Sequence, residues 1–370
     1  MKAITRRTFL KRSLAFSAGT SAGLAGIRAL GAEPAFSSAT NQASPNPVPI
    51  DPYADGKLVD GPPPPLSKGA FTIAVLPDTQ YYSESFPATY KAQTRWIVEQ
   101  KKDRNIACVL HLGDLTNQNT PEQWKNAADA MSLLDGNVPY FLVPGNHDYY
   151  GDQGNWRTEL TNYFPVAKFE RLRTFGGVYD QEPARMENSF HLFSAGGRKF
   201  LVLCLEFGPR RDVIRWANEV VDKHRDREAI LVTHAFTYSD NTRYDWAKRG
   251  AAQTWNPHSY GIVRNNVSED VADGEQLWQE LVTRHDSFIF TINGHVCNDG
   301  LGRLASPRPD GRDVHQVLVN FQIRPQGGDG WLRLLEMCPD GTMNAVDYSP
   351  TRRQCNESPK NKFSVRLARA

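Results

Sequence analysis

Five short polar clusters carry the side chains best suited to chemistry, and each follows directly on an apolar run of the sequence. Their donors are carboxylates, an amide oxygen and imidazoles, which together suit a pair of divalent metal ions. Glycines stand in three of the clusters, where they allow a tight turn that brings ligands close. The clusters are Pro77-Asp78-Thr79-Gln80, Gly113-Asp114-Leu115-Thr116-Asn117, Gly145-Asn146-His147-Asp148, His234, and Gly294-His295-Val296-Cys297.

The apolar runs before these clusters have the length of β-strands, and helix-like segments alternate with them, which predicts an α/β fold. In open α/β sheets, ligands bind outside the carboxyl ends of the strands, so one sheet would bring all five clusters together. Asp78 and Gln80 are two residues apart, as are His295 and Cys297. In extended backbone each pair would therefore face one side and reach one ion.

Capping residues predict where two of the helices begin. Thr120 with Gln123 has the pattern of a capping box, and Asp273 with Gln276 repeats it. Towards the C-terminus the sequence changes to strand-like runs, and Pro339-Asp340-Gly341 predicts the turn of a hairpin.

The order and spacing of the five clusters resemble the calcineurin-like metallophosphoesterase family. The pattern of that family is Asp-x-His, Gly-Asp, Gly-Asn-His-Asp/Glu, a single His and Gly-His-x-His. The resemblance covers residues 71–337, and Gly-Asn-His-Asp after a strand is its most specific motif. It implies a four-layer α/β/β/α sandwich, in which two mixed β-sheets lie face to face and helices flank them.

The resemblance also implies a centre of two divalent or trivalent metal ions, with manganese, iron and zinc as candidates. Asp114 would bridge the two ions, and Asp78 would belong to the first. The second ion would be bound by Asn146, His234 and His295.

His147 would contact the phosphoryl group of the substrate and protonate the leaving oxygen, while a metal-activated hydroxide attacks. Asp148 is the second catalytic candidate, because it stands beside His147 and could orient the imidazole. The alternative, in which Asp148 points into the fold, is equally compatible with the sequence.

Two residues depart from the family pattern, and both affect the first metal site. Gln80 stands where the family has histidine, and an amide oxygen is a weaker donor than imidazole. Cys297 replaces the final histidine, and as a thiolate ligand it would favour zinc or iron. Asn298 and Asp299 are competing donors beside it. A centre with one ion, and even an inactive one, is therefore compatible with the sequence.

A segment rich in aromatic and basic side chains, residues 238–260, begins shortly after His234. Stacking rings and cations in such a loop could hold the leaving group and the phosphate of a substrate. The alternative is a loop packed by its own aromatics. The rings of the segment are Tyr238, Tyr244, Trp246, Trp255, His258 and Tyr260. The candidate substrate-binding residues are Tyr81, Arg243, Tyr244 and Trp246.

The first 32 residues resemble a twin-arginine export signal, with Arg6 and Arg7 before a weakly apolar stretch and small residues near Ala32. Polar residues interrupt that stretch too often for a membrane span, and no later segment qualifies. We predict a signal peptide at 1–32, a Pro- and Ser-rich linker at 33–68, the metallophosphoesterase domain at 69–350 and a C-terminal tail at 351–370. The twin-arginine machinery would then deliver the chain to the periplasm or the extracellular space, with no membrane span after processing.

Charge argues against a nucleic-acid partner. The first 32 residues contain six basic side chains and no acidic one. Subtracting those six from the 43 basic residues leaves 37 against 41 acidic residues, a net charge of −4. A mildly acidic body lacks the basic field that stable binding of DNA or RNA requires.

The cysteines do not predict a disulfide framework. Cys108 and Cys204 lie in apolar runs and are predicted to be buried thiols. Cys338 and Cys355 could pair after export, but an odd total of five with no regular spacing is not typical of a disulfide-rich protein.

The sequence therefore predicts an exported, metal-dependent phosphoric ester hydrolase that acts on a phosphomonoester or a phosphodiester. The alternative is a catalytically weakened member that binds a glycan or a phosphorylated polymer through its aromatic loop. A nuclease is a third alternative, to which the acidic body gives little support.

Overall fold

The computed structural model describes residues 53–54, 56–150, 156–262 and 270–367, which belong to one compact unit, Ile50–Ala370. The predicted export signal lies outside these residues. Their strands are β1 Leu58–Asp60, β2 Phe71–Leu76, β3 Ile106–His111, β4 Tyr140–Leu142, β5 Tyr149–Tyr150, β6 Arg157–Thr158, β7 Phe175–Val178, β8 Ser189–Ala195, β9 Arg198–Leu205, β10 Glu228–Thr233, β11 Phe288–Asn293, β12 Leu301–Pro307, β13 Asp313–Val319, β14 Leu332–Met337, β15 Thr342–Ser349, β16 Gln354–Asn356 and β17 Lys362–Arg366.

The helices of the same residues are short to medium in length. They are α1 Gln80–Ser85, α2 Pro87–Glu99, α3 Pro121–Met131, α4 Leu160–Tyr163, α5 Val166–Phe169, α6 Arg211–Lys223, α7 Trp246–Arg249, α8 Gly274–Glu280 and α9 Pro325–Gly328. Within the described part of the chain, none of them has the length and apolar character that crossing a membrane requires.

Two large mixed sheets contain most of these strands. Sheet one has the order β1-β16-β15-β14-β2-β3-β4, and β17 also pairs with β15. Sheet two has the order β12-β13-β11-β10-β9-β8-β7, and β5 with β6 forms a separate small hairpin. The parallel strands are β2, β3 and β4 in sheet one, and β9, β10, β11 and β13 in sheet two.

Alternating residues of β2 show why the two sheets pack face to face. Phe71, Ile73 and Val75 contribute to a core shared with strands of sheet two. Ala74 and Leu76 point to the opposite face, as successive strand residues do, and join the core under α2 and α3. Each large apolar side chain buried in this way stabilises the fold by about 1.5–3 kcal/mol.

Helix α6 covers the outer face of sheet two. Val213, Trp216 and Val220 lie on one side of this helix and pack with Leu201 and Leu203 of β9. The order of layers is therefore helix, sheet, sheet, helix, and the predicted α/β/β/α class is confirmed.

The predicted local signals form largely as expected. Asp273 and Gln276 make the full capping box at the start of α8, and Pro339-Asp340-Gly341 joins β14 to β15. Thr120 caps α3 through the Gln123 backbone N–H, but the Gln123 side chain does not return the bond. Its oxygen instead accepts from the backbone N–H groups of residues 117 and 118, which fixes the loop after β3.

Sheet one extends beyond the predicted domain at both ends. Strand β1 lies in the segment predicted as linker, and β16 and β17 lie in the predicted tail. Leu58 pairs with Asn356, almost the whole domain away along the chain. No local pattern marks β1, because the proline run after it resembles a linker and its partner is distant in sequence.

All five cysteines are free thiols. Cys108 and Cys204 are fully buried between the sheets, as predicted. Cys338 and Cys355 are not paired with each other, and the Cys338 thiol donates a hydrogen bond to Glu336 at 3.3 Å.

Candidate metal centre

The five polar clusters converge between the carboxyl ends of strands from both sheets. Asp78, Asp114 and Asn146 follow β2, β3 and β4 of sheet one, whereas His234 and His295 follow β10 and β11 of sheet two. The expectation that a single sheet edge carries all five is therefore wrong. The centre depends on the packing of one sheet against the other.

The Nε2 atom of His234 faces side-chain oxygens of three other candidate ligands. It lies 3.2 Å from Asp114 Oδ1, 3.2 Å from Asn146 Oδ1 and 4.0 Å from Asp78 Oδ1. Ligand atoms of Asp78, Asp114 and His234 all lie within 4.8 Å of one another, and these three residues are buried. Three residues that are distant in sequence thus present potential ligands to one point.

The backbone fixes which nitrogen of His234 faces this point. Its Nδ1 lies 2.6 Å from the Leu112 carbonyl oxygen, which can only accept, so Nδ1 carries a proton and donates. Nε2 is left facing the oxygens. Burial lowers the pKa of His234, but the neighbouring Asp114 carboxylate outweighs this effect and raises it to about 9.

A second carbonyl orients His295 in the same manner. Its Nε2 donates to the Trp255 carbonyl oxygen at 2.7 Å, which leaves Nδ1 with a free lone pair. Burial, with the nearby His234, lowers the pKa of His295 to about 3, so the ring is neutral. Its backbone N–H donates to Asp78 Oδ1 at 2.9 Å, and its ring centre lies 4.8 Å from that of His234.

Three candidate ligands have backbone angles that non-glycine residues rarely adopt. The φ angles are +40° for Asp78, +51° for Asp114 and +77° for His295. Such conformations cost about 1–3 kcal/mol each and persist where the surrounding structure holds them, often at functional sites. They also explain why the two-residue spacing of His295 and Cys297 does not give the extended geometry expected from the sequence.

Two glycines allow the carboxylates to reach the centre. A Cβ atom on Gly294 would lie 2.1 Å from Asp78 Oδ2, and one on Gly145 would lie 2.1 Å from Asp114 Oδ1. Both distances are far below van der Waals contact, so any side chain at either position would displace a ligand oxygen.

Gln80 follows Asp78 by two residues along the chain, and its side chain is buried. It is the first residue of α1 rather than part of an extended segment, which corrects the expected geometry of this pair. Neither polar atom of its amide has a hydrogen-bond partner in the described residues, and the same holds for Asp78 Oδ2. Buried amides of this kind are rare in native proteins and call for an explanation such as an ion.

Cys297 is oriented by a residue that the sequence did not indicate. The Gln322 amide donates to Cys297 Sγ at 2.7 Å, and burial raises the pKa of this thiol to about 11. The two competing donors beside Cys297 make contacts with other residues. Asn298 contacts Tyr238 and Ser239, and Asp299 pairs with Lys360.

These donors fit a cation. One imidazole nitrogen and oxygens of Asp78, Asp114 and Asn146 face one another, an arrangement that positive charge stabilises, and a cation bound there would replace the proton on His234. The unpartnered oxygens of Asp78 and Gln80 supply further lone pairs. Carboxylate, amide and imidazole donors are typical of transition-metal sites.

His147 stands at the rim of this group. Its backbone N–H donates to Asp114 Oδ1 at 2.9 Å, and its Nδ1 donates to the Asn117 carbonyl oxygen at 2.8 Å. A carbonyl again fixes the tautomer and leaves Nε2 free on a partly buried ring.

Asp148 points into the fold, the second of the two orientations open from the sequence. Its carboxylate accepts from the backbone N–H groups of Gly145, Leu115 and Thr116 at 2.8–3.0 Å and from the Thr116 hydroxyl at 2.9 Å. It therefore holds the loops after β3 and β4 together. The carbonyl of Asn117, rather than Asp148, orients the His147 imidazole.

The predicted substrate residues separate into two groups. Arg243 pairs with Glu275 at 2.6 Å and lies over the Trp278 ring, while the buried Tyr244 donates to the Thr254 carbonyl oxygen at 3.0 Å. Both pack the loop, so the structure does not place them as substrate ligands. Trp246 is 36% exposed and stacks on His258. Tyr81 is partly buried, and this burial is the main cause that raises its pKa.

Phe207 is a contributor that the sequence did not reveal. It lies shortly after β9, and its ring centre is 5.7 Å from that of His234 and 5.1 Å from that of His295. A phenylalanine has no atom that binds a metal, so it does not belong to any polar cluster of the sequence. The carbonyls that orient the histidines are equally invisible in a pattern of side chains.

The chain resembles known proteins both in sequence and in structure. Uncharacterized protein YvnB of Bacillus subtilis (strain 168) is 33% identical over 294 residues, which are 77% of this chain and 20% of that protein. Probable glycerophosphodiester phosphodiesterase GpdQ of Arcobacter nitrofigilis is 26% identical over 129 residues, 34% of this chain and 40% of that protein. The matched segments thus cover less than half of either relative, 20% of the first and 40% of the second.

Among solved structures, purple acid phosphatase PPD1 of yellow lupin (Lupinus luteus) superposes with a TM-score of 0.45 and 13% sequence identity. The superposition covers 82% of this chain and 55% of the lupin protein. The sequence profile of the calcineurin-like phosphoesterases matches residues 71–299, a range that contains every candidate ligand from Asp78 to Cys297. On this match, the chain belongs to the calcineurin-like phosphoesterase family.

Proposed function

We propose that the chain is an exported, metal-dependent phosphoesterase that hydrolyses a phosphomonoester or a phosphodiester. Membership of the calcineurin-like phosphoesterase family supports the reaction class, the hydrolysis of phosphoric esters. The observation that carries the proposal is the buried convergence of Asp78, Asp114 and His234, whose ligand atoms lie within 4.8 Å of one another.

By the family resemblance, the donors would divide into two sites that share Asp114. Asn146, His234 and His295 would complete the second site, and their imidazoles are already oriented by backbone carbonyls. Two ions drawn from manganese, iron and zinc would supply Lewis acidity that activates a water molecule and neutralises charge on phosphoryl oxygens.

The first site would use Asp78 with Gln80 and Cys297. The unpartnered amide of Gln80 supports it as a ligand, because its oxygen is free to bind without breaking a hydrogen bond. Cys297 already accepts a hydrogen bond from Gln322, and its thiol would have to lose a proton to bind. We therefore expect the first ion to bind more weakly than the second.

His147 would protonate the leaving oxygen. Its Nδ1 proton is committed to the Asn117 carbonyl oxygen, so only Nε2 can carry a proton to the substrate. Its backbone N–H, bonded to Asp114, holds the ring at a fixed position relative to the metal ligands. Asp148 supports this arrangement through the loops and makes no bond to the ring.

Replacing Asp114 by Asn tests the proposal. Loss of the shared carboxylate should lower turnover of para-nitrophenyl phosphate or bis(para-nitrophenyl) phosphate by at least about 10³-fold, because Lewis-acid stabilisation is worth several kcal/mol. The matched control is Asp129→Asn, which changes an exposed carboxylate on α3 that pairs with Lys125. This control should retain full activity and metal.

Metal content should be measured on the same proteins. Close to two ions per chain in the wild type, fewer in Asp114→Asn, would support the phosphoesterase. Almost no metal in the wild type would instead favour the glycan- or phosphopolymer-binding alternative. Unchanged turnover in Asp114→Asn would contradict the proposed mechanism.

We also propose export by the twin-arginine route, which Arg6 and Arg7 support. Replacing both by lysine should retain the full chain in the cytoplasm of a host that has this machinery. The control Arg12→Lys changes another basic residue of the same segment and should be exported. Normal export of the double variant would refute this route.

A further inference from the structure

Three aromatic rings surround His295 on the side of the centre formed by sheet two. Phe207 lies 5.1 Å, Tyr260 5.9 Å and Tyr244 6.0 Å from the His295 ring, measured between ring centres. Tyr260 also packs almost perpendicular to Phe207, at 88° and 5.1 Å. These contacts fix the Tyr260 ring against a candidate metal ligand.

The two tyrosines differ in what their hydroxyls do. Tyr244 is fully buried, and its hydroxyl is used by the Thr254 carbonyl oxygen. The Tyr260 hydroxyl has no hydrogen-bond partner within the part of the chain that the structure describes, and its side chain is only partly buried. Tyr260 thus carries an uncommitted donor on a ring that packs against His295.

The backbone around Tyr260 is held firmly. It ends the short 3₁₀ turn Pro257–Tyr260, which Asn256 caps by accepting from the His258 backbone N–H at 3.0 Å. The buried Asn256 amide is itself bound to Asp273 at 3.2 Å. A donor on such a turn is preorganised, which is what makes a hydrogen bond effective in a transition state.

The Tyr260 hydroxyl is protonated near neutral pH, because the ordinary pKa of a tyrosine is about 10. A neutral phenol beside acidic groups can donate a hydrogen bond but does not act as a base.

We propose that Tyr260 is a further catalytic residue, whose hydroxyl donates a hydrogen bond to a non-bridging oxygen of the phosphoryl group bound at this centre. The proposal rests on the phosphoesterase function proposed above. The hydroxyl stays neutral, and no bond to it is made or broken. Charge on the phosphoryl oxygens is what such a donor stabilises.

The variant Tyr260→Phe removes the hydroxyl and keeps the ring contacts with Phe207 and His295. In the metal-loaded protein, kcat for para-nitrophenyl phosphate should fall roughly 10²-fold, with a smaller change in KM. The Kd of inorganic phosphate, measured by calorimetry, should rise about tenfold, as expected for one lost hydrogen bond to a charged group. Metal content should equal that of the wild type.

The matched control is Tyr244→Phe. The Tyr244 ring is about as close to His295 as the Tyr260 ring, but its hydroxyl donates to the Thr254 carbonyl oxygen. This variant should bind phosphate and turn over substrate like the wild type.

Three outcomes would overturn the proposal. If Tyr260→Phe equals an active wild type in kcat and phosphate binding, Tyr260 is not catalytic and the phosphoesterase function stands. If Tyr260→Phe loses metal, the residue positions His295 instead. If the metal-loaded wild type neither cleaves the ester nor binds phosphate, both this proposal and the proposed function fall.

Discussion

At the scale of single residues, the chemistry depends on atoms that are held by the backbone. Carbonyl oxygens of Leu112, Asn117 and Trp255 each accept a hydrogen bond from a histidine N–H and so decide which nitrogen remains for a metal or a substrate. Backbone carbonyls, rather than carboxylates, therefore accept the hydrogen bonds that orient these three imidazoles.

The sequence predicted which polar side chains meet at the centre, but not the hydrogen bonds that orient them. Asp78, Asp114, Asn146 and His234 were found because polar residues after apolar runs are visible in a side-chain pattern. The contact of Cys297 with Gln322 was not, since the two residues are joined only by the fold.

Asp148 offers a direct test at this scale. Replacing it by Asn puts an N–H₂ group among backbone N–H donors, so hydrogen bonds across the loops after β3 and β4 are lost. We expect the free energy of unfolding to fall by about 2–4 kcal/mol, measured by urea denaturation. Asp129→Asn, an exposed change, should alter it by less than about 0.5 kcal/mol. A variant of wild-type stability that had lost only activity would instead indicate that Asp148 orients His147.

At the scale of elements, the interface between the sheets contains a buried histidine. His191 of β8 stacks on Phe141 of β4 with ring centres 4.2 Å apart, and its Nδ1 has no partner in the described residues. Burial lowers the pKa of His191 from 6.5 to about 3. The folded state therefore requires a neutral ring.

The sign of the pH effect follows from this lowered pKa. Between pH 6.5 and about 3 the unfolded chain binds a proton that the folded chain does not, so stability falls as pH falls through this window. His191→Phe keeps the stacking and removes the proton site. Its slope of unfolding free energy against pH should be smaller than that of the wild type, by up to about 1.4 kcal/mol per pH unit.

Denaturation at several pH values between 5 and 7, on the order of half a unit apart, would measure that slope. His224→Gln is the comparison, because this ring is only partly buried and should change the slope less. Identical slopes for His191→Phe and the wild type would mean that His191 is not a neutral group of the core.

Local signals also explain which elements could be predicted. Helices α3 and α8 begin at capping residues that act within one turn, and the hairpin of β14 and β15 depends on three adjacent residues. Strand β1 has no such signal, because its pairing with β16 is settled by residues at the other end of the domain.

At the scale of the whole molecule, the family resemblance predicted the four-layer fold. It did not lead to the prediction that residues from both sheets form the site. Three clusters come from sheet one and two from sheet two. Which strands share a sheet depends on pairings such as β2 with β14, and no spacing within the sequence encodes those directly.

The same pairing determines when the protein can fold during synthesis. Strand β2 is made early, yet one of its two neighbours is β14, which begins at Leu332, and β15 to β17 come later still. A growing chain therefore exposes one edge of β2 until most of the domain has left the ribosome. Contacts of such high sequence separation form slowly, and open edges favour aggregation in the meantime. Export of the folded chain, as proposed from Arg6 and Arg7, would take place only after that edge is covered.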